Sequence, residues 1–399
     1  MNEIKATHRC YKCGMCMFQC PVYSVYRNEV YSPKGKINAI DSIINAKSNS
    51  LSDLPEIFQE CNLCRHCVNI CPGEIDTPGL VVEYRARLNR IKPTGRYQEV
   101  LDNIKHSGNP YGLENRSSQV GTGHQKNKND KSKTLIFMGC TTRYKLPEIA
   151  KSLLDFLDSL GFGYTLLDDE PCCGNILNNL GYPEEAKNLA KQNKAVLNAF
   201  DKIITLCPGC YNMLKTYKKS VGSKFEVFHI LEIVHAARDQ LKSNTKEPLY
   251  FQVPCHIYNS DTKFKNIISD ITLLFDHLQS SLDVTQATKC CGAGGGMLLY
   301  NKEYVQKRLD TILRNVESGN VITACPFCYL NYKRNTSKEV SFITEKLEVS
   351  GKTKIELGGH GNFLHHVSDH KESEENIPVL LVKYKIRSVM KKIPLNNRR

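Results

Sequence analysis

Eighteen cysteines stand in four ordered arrays. The first is Cys10, Cys13, Cys16 and Cys20, with Pro21 following. The second repeats that spacing as Cys61, Cys64, Cys67 and Cys71, with Pro72 following. The third is Cys140, the adjacent pair Cys172 and Cys173, then Cys207 and Cys210 with two residues between them. The fourth has the same form: Cys255, Cys290 with Cys291, then Cys325 and Cys328. No cysteine is left over. Disulfide frameworks belong mainly to small secreted domains and lack this repeated rhythm, so the thiols read as metal ligands. Four metal sites of two kinds are expected. Metal-bound thiolates need a reducing interior, so the expected location is cytoplasmic.

The x2-x2-x3-Pro run is the bacterial ferredoxin pattern, whose fourth cysteine ligates the other cluster. Three cysteines at this spacing wrap one [4Fe–4S] cubane with their own loop, while the fourth has turned away and reaches across. One cluster therefore uses Cys10, Cys13, Cys16 and Cys71. The other uses Cys61, Cys64, Cys67 and Cys20. Structural zinc on CxxC pairs is the alternative, but zinc sites rarely repeat four cysteines in this rhythm. Two such clusters make a one-electron wire.

The third and fourth arrays have five thiols each, one more than tetrahedral zinc takes. Adjacent cysteines cannot easily share one small ion, but they can bind two irons of one cluster. Gly174 and Gly292 follow the pairs and let the backbone turn tightly toward a metal. The run Gly292-Ala293-Gly294-Gly295-Gly296 is similar to a phosphate loop; the favoured role is to leave space beside the cluster. Cys207-Pro208-Gly209-Cys210 and Cys325-Pro326-Phe327-Cys328 look in isolation like thioredoxin-type redox pairs. With three further cysteines at matching distances in both copies, the ligand role is preferred.

The elements that must hold these arrays follow from local signals. Ser32-Pro33 signals a helix start, and Ile37, Ile40, Ile43 and Ile44 share one helical face. Leu54, Ile57 and Phe58 suggest a short helix before Cys61. The long gap between Cys20 and Cys61 favours a mostly helical ferredoxin domain over the compact β-rich one. From residue 134 the pattern is βαβ-like. Leu135 to Met138 reads as a strand ending at Cys140, Ile149 to Leu160 as a helix, and Tyr164 to Leu167 as a strand entering Cys172. Ala186 to Phe200 is helical, and Ile203 to Leu206 is a strand ending at Cys207. The second copy has a strand from Tyr250 to Val253, a helix from Lys302 to Glu317 and a strand from Val321 to Thr323. Each array thus sits past the C-terminal ends of strands, where open α/β sheets place ligands. Cys140 to Cys255 is an offset of 115 residues, and Cys172 to Cys290 and Cys207 to Cys325 are offsets of 118. Near-constant offsets mark an internal duplication, so two lobes should face each other about a pseudo-two-fold axis.

At 399 residues the chain has room for two or three domains. No stretch approaches the roughly 18–20 apolar residues that cross a bilayer. Met1 to Arg9 is polar and no secretory signal, and membrane contact would need a partner subunit. The formal charge of +13 counts cysteines as neutral; two cubanes with four thiolates each bring roughly −2 apiece. The basic excess is partly internal compensation. The tail with Lys383, Lys385, Arg387, Lys391, Lys392, Arg398 and Arg399 is read as a solvated or docking tail, not a nucleic-acid site.

At these residues the chain resembles the cysteine-cysteine-glycine (CCG) domain iron–sulfur oxidoreductases, above all the D-type catalytic subunit of heterodisulfide reductase. Asn109-Pro110-Tyr111-Gly112 resembles a short motif between the two halves of that family. The resemblance implies an α-helical ferredoxin domain followed by a duplicated α/β (βαβ-type) CCG domain pair. The expected boundaries are 1–106 for the two-cluster domain, 107–133 for a linker, 134–245 and 246–350 for the CCG domains, and 351–399 for the tail. It further implies two noncubane [4Fe–4S] clusters on the five-cysteine arrays, with a small-molecule disulfide cleaved between them. The alternative is an electron-transfer subunit of a flavin-dependent glycolate, lactate or glycerol-3-phosphate dehydrogenase complex. Many of those relatives lack one cysteine of the last CxxC; here both pairs are whole. The partner implied is a membrane cytochrome b-like subunit or a flavoprotein. His256 is a candidate proton donor or packed histidine, and Lys289 and Arg143 are candidate holders of an anionic substrate.

Overall fold

The computed structural model describes residues 3–45, 51, 55–114, 132–282, 290–314, 316 and 319–351. Most of the expected linker and the basic tail lie outside them. Among the described residues, every regular element before residue 134 is a helix. Ser32 caps Pro33–Ile44 by accepting the Gly35 N–H at 3.0 Å, and Pro33 pre-sets the first turn. Ile37 and Ile40 are buried, and Ile43 and Ile44 pack against the same core. Helix Pro55–Gln59 adds Ile57 and Phe58 to it; Leu54 lies outside the described residues. Two long helices that local signals did not place, Thr77–Ile91 and Gly95–Ser107, complete the region. The chain stays ordered beyond the expected boundary at 106. Tyr111 hydrogen-bonds Thr141 at 2.9 Å, so 107–114 belong to the packed body and not to a linker.

The remainder is two parallel sheets. In the first, β1 (Thr134–Phe137), β2 (Lys202–Thr205) and β3 (Glu226–His229) lie in that order. Near β3's end runs β4 (Leu241–Ser243). The second sheet has the order β6-β5-β7-β8, with β5 at Leu249–Gln252, β6 at Leu278–Ser280, β7 at Asn320–Thr323 and β8 at Glu339–Phe342. Leu135, Ile136 and Phe137, like Tyr250 and Phe251, are fully buried, which is why these strands read as continuous apolar runs. The expected strand at Tyr164–Leu167 is only a single bridge from Thr165 to Leu135. Gly163 and Asp168 bracket so short a segment that it leaves the edge after one pairing, where its counterpart β6 manages three residues. The helix expected to reach Glu317 ends at Leu313.

The duplication is visible in the topology: β1, β2 and β3 correspond to β5, β7 and β8. After them, β4 pairs antiparallel with β9 (Leu347–Val349). Among the described residues no helix is long and apolar enough to cross a membrane.

Candidate metal centres

The cysteine-proline steps share one device. Cys20, Cys207 and Cys325 each take the N-cap of a helix whose first residue is the following proline. The Cys20 sulfur accepts the Tyr23 N–H at 3.5 Å and the Cys325 sulfur accepts the Cys328 N–H at 3.4 Å. The positive end of a helix favours thiolate, the form that binds metal. Around Cys207, the Cys210 thiol and then the Cys210 and Gly209 N–H groups hold the sulfur down, to about 7.

The ferredoxin-type thiols fall into two sets. One cavity is lined by Cys10, Cys13, Cys16 and Cys71. The other is lined by Cys61, Cys64, Cys67 and Cys20. The fourth cysteine of each motif therefore lines the cavity of the other motif. The cavities, about 320 and 360 Å3, are close enough in size to hold two copies of one group. The loops repeat as well: Lys12 and Leu63 take left-handed backbone, and so do Gly14 and its counterpart Arg65. Burial, with Cys71, Cys10 and Cys20 nearby, pushes the Cys16 thiol up to about 12. Crowded, desolvated sulfurs of this kind ionise only with a cation among them.

The five-cysteine arrays are as compact. The Cys173 and Cys210 sulfurs are 3.3 Å apart, as are Cys291 and Cys328, and Cys255 is 3.8 Å from Cys290. Contacts with Cys172 and Cys210 hold the Cys173 thiol down, to about 6. Gly174 and Gly292 are both left-handed, as the turn after each pair requires. Among the described residues, no three His, Cys, Asp or Glu side chains converge as ligands of a single ion. Five thiols in each array, one more than tetrahedral zinc takes, fit a polynuclear iron–sulfur group better than one zinc ion.

The two arrays differ in what touches them. The Cys64 thiol of the second ferredoxin motif is close enough to Cys290 of the fourth array for each to shift the other's protonation, Cys64 upward and Cys290 downward. Asn62 donates to the Gly292 carbonyl at 2.5 Å and accepts from the Tyr304 hydroxyl at 2.6 Å. Asn259 donates to the Cys64 carbonyl at 2.8 Å. The glycine run is what permits this approach. At Gly295, with φ of +63°, an added Cβ would stand 2.4 Å from the Cys61 carbonyl oxygen. The space expected beside the cluster is filled by the Cys61–Asn62 backbone, and that backbone, not a phosphate, occupies the loop. The third array's half meets the helices of the ferredoxin region: Asn89 donates to the Leu180 and Gly181 carbonyls, Arg85 to that of Asn179, and Cys172 shares a core cluster with Tyr97, Val100 and Leu101.

The family described as a 4Fe-4S dicluster domain matches residues 6–75, and the cysteine-rich CCG domain matches 134–215 and 249–333. The chain is a CCG-domain iron–sulfur protein. It is 26% identical over 356 residues to a subunit (the B-type one) of the fumarate reductase (CoM/CoB) of Methanothermobacter marburgensis, covering 85% of this chain and 70% of the relative. It is 26% identical over 368 residues to the D-type subunit of the dihydromethanophenazine:CoB--CoM heterodisulfide reductase of Methanosarcina acetivorans, covering 81% and 87%. The glycolate oxidase iron-sulfur subunit of Escherichia coli is 21% identical over 357 residues, covering 79% and 87%. The relatives of this CCG-domain protein are thus subunits of iron–sulfur oxidoreductases.

Other expected residues fare differently. His256 lies against the Asn62 and Leu63 backbone and Gly294, with Nε2 buried and lacking a hydrogen-bond partner. Burial holds it below its ordinary value and therefore neutral. Arg143 is buried, not on the surface, and donates to the Leu167 and Asp168 carbonyls. Lys289 lies outside the described residues. Three buried cations had no place in the sequence-based expectations: Lys36, Arg85 and Arg308. Arg85 and Arg308 sit on apolar helical stripes (Arg85 among Val81, Tyr84 and Leu88, Arg308 among Val305, Leu309 and Ile312), and Lys36 stands beside buried Ile37. A charge at a core position of a helix was the signal to read.

Proposed function

We propose that this chain takes electrons one at a time at its first ferredoxin motif. They pass through the second motif to the fourth array, and the paired five-cysteine arrays reduce a small-molecule disulfide. The balance is one disulfide, two electrons and two protons giving two thiols. The observation that carries the proposal is the direct joint between the second ferredoxin loop and the fourth array, Asn62 to the Gly292 carbonyl and Asn259 to the Cys64 carbonyl, together with both CxxC pairs being whole. A heterodisulfide reductase among the relatives supports the same chemistry. The assigned ligands are Cys10, Cys13, Cys16 and Cys71 for one cubane and Cys61, Cys64, Cys67 and Cys20 for the other. Bound iron–sulfur clusters would supply the one-electron steps and a site for substrate sulfur. The chain's own residues set the order: the Cys10–Cys16 loop is the outer end, where Tyr11 and Phe18 are 74% and 67% exposed. A redox partner meets the chain there. The glycine run and Asn62 hold the inner ferredoxin loop against the fourth array.

The glycolate oxidase iron-sulfur protein among the relatives favours a second function, an electron conduit to a flavin-containing partner. The test is to add thiols to the anaerobically oxidised protein and record its paramagnetic resonance. A new signal is expected on thiol binding. No change with any thiol or disulfide, in a protein that still exchanges electrons with a flavoprotein, would favour the conduit. Cys20→Ala should cost the iron of the second motif; loss of the first motif's iron alone would refute the crossed ligation.

A further inference from the structure

We infer that Lys36, with Arg85 and Arg308, raises the reduction potential of the centre held by the second ferredoxin motif, so that electrons run inward from the first. The inference rests on the assignment of these thiols as cluster ligands. Lys36 is 2% exposed and lines the cavity of Cys20, Cys61, Cys64 and Cys67. Its Nζ donates to the Tyr31 carbonyl at 2.5 Å. Arg85 is fully buried and donates to five carbonyls, those of Phe58, Gln59, Cys61, Asn179 and Gly295. Arg308, also fully buried, donates to the Cys290 carbonyl at 2.9 Å and to Ser24 at 3.2 Å. Among the described residues, none of the three has a carboxylate within ion-pair distance.

A buried cation without a counter-ion is costly in isolation. It is stable where negative charge lies near, and these three surround thiols that clusters would make anionic. Glu60 is the carboxyl in the same cavity; it is hydrogen-bonded by Tyr26 at 3.2 Å and Asn301 at 2.7 Å and forms no ion pair with the three cations. Around the first motif the cations are of another kind. Lys34 is ion-paired with Glu29 at 3.0 Å, and Lys12 is exposed. Water and salt screen such charges. Burial alone disfavours an added electron on an anionic cluster and would place the inner centre lower than the outer one. Unscreened cations act oppositely, and three of them overcome the burial.

The experiment is a redox titration of the as-isolated protein monitored by paramagnetic resonance, with the two ferredoxin-type signals assigned through Cys20→Ala. In the wild type the second-motif centre should have the higher potential; a lower one overturns the inference without any variant. Lys36→Met should make reduction of that centre at least tenfold less favourable, about 59 mV for one electron, and leave the first centre in place. Lys36→Gln, which can still donate to Tyr31, should do the same, while Lys36→Arg keeps the wild-type value. No shift, or an equal shift of both centres, overturns the inference. Absence of any second-motif signal in the wild type would instead sink the ligand assignment.

Discussion

The two CCG halves are built alike and placed differently. Each has a parallel sheet, five thiols past the strand ends, a left-handed glycine after the paired cysteines, and a proline-started helix behind the CxxC. Even the cap after the last sheet strand repeats: Glu232 accepts the His229 N–H at 2.9 Å, and Glu345 accepts that of Phe342 at 2.6 Å. Yet among the described residues it is the fourth array's half that hydrogen-bonds the Cys64 carbonyl, through Asn259, and its glycine run that is flattened against the Cys61–Asn62 backbone. The third array instead has Tyr111 near Cys140 and Cys207. Duplication supplied two equal sites, and docking of one ferredoxin region made them unequal. On the proposed electron path the inner half is the receiving side.

The largest effect expected from this inequality is kinetic. Cys291→Ala should abolish reduction of the third array's centre by an external donor, whereas Cys173→Ala should leave the fourth array's centre reducible. Rapid-freeze resonance spectra of both variants check it, and equal behaviour would dissolve the distinction. Next is the joint itself. Arg85→Met leaves five carbonyls without their donor, and loss of at least ~3 kcal/mol is expected; denaturant unfolding of the iron-loaded protein measures it. Asn62→Leu removes the bond to Gly292 and strands the Tyr304 hydroxyl, a smaller cost of about 2 kcal/mol. Its effect should fall on electron transfer into the fourth array and spare iron content.

The caps differ in a way that is silent at neutral pH and appears only in acid. His229 is buried, its Nε2 donates to the Leu206 carbonyl, and its Nδ1 accepts the Leu231 N–H. Burial drives it down to about 3 from an ordinary 6.5. Below pH 6.5 the unfolded chain binds a proton that the folded one refuses. Stability therefore falls by about 1.4 kcal/mol per pH unit as pH drops from 6.5 toward 3, and is unaffected above 6.5. The second half has Phe342 in that place and lacks this sensitivity. His229→Phe should flatten the acid limb of a pH–stability curve; an unchanged limb would remove this difference between the halves.

Much of this was legible before any coordinates. The cysteine rhythm, the duplication and the strand–array order all follow from short-range spacing and periodicity, which local chain geometry enforces. What escaped were relations between segments far apart in sequence. Nothing near Gly295 says that Cys61 will press on it, and nothing near Cys64 names Cys290. The strand at Tyr164–Leu167 was overread because an apolar tetrad fits a strand whether or not a neighbour can extend the ladder. Arg85 and Arg308 had their signal in apolar neighbours one turn away, but the carbonyls they serve, such as Gly295 for Arg85, lie far off in sequence.

The β4–β9 ribbon has a consequence of its own. Lys242 pairs with Glu348, and Leu241 and Ser243 pair with Val349 and Leu347, so each strand meets its counterpart in mirror order. Two separate copies of one ancestral chain would make this contact in an isologous dimer. In such a dimer the central residue would face itself, and an ionised side chain there would repel its twin. Here Lys242 and Glu348 stand 3.6 Å apart with opposite charges. Joined in one chain, the two copies are free to differ, at that seam and at the arrays. A homodimer offers a visiting ferredoxin two equivalent berths; the fused chain has kept one and closed the other.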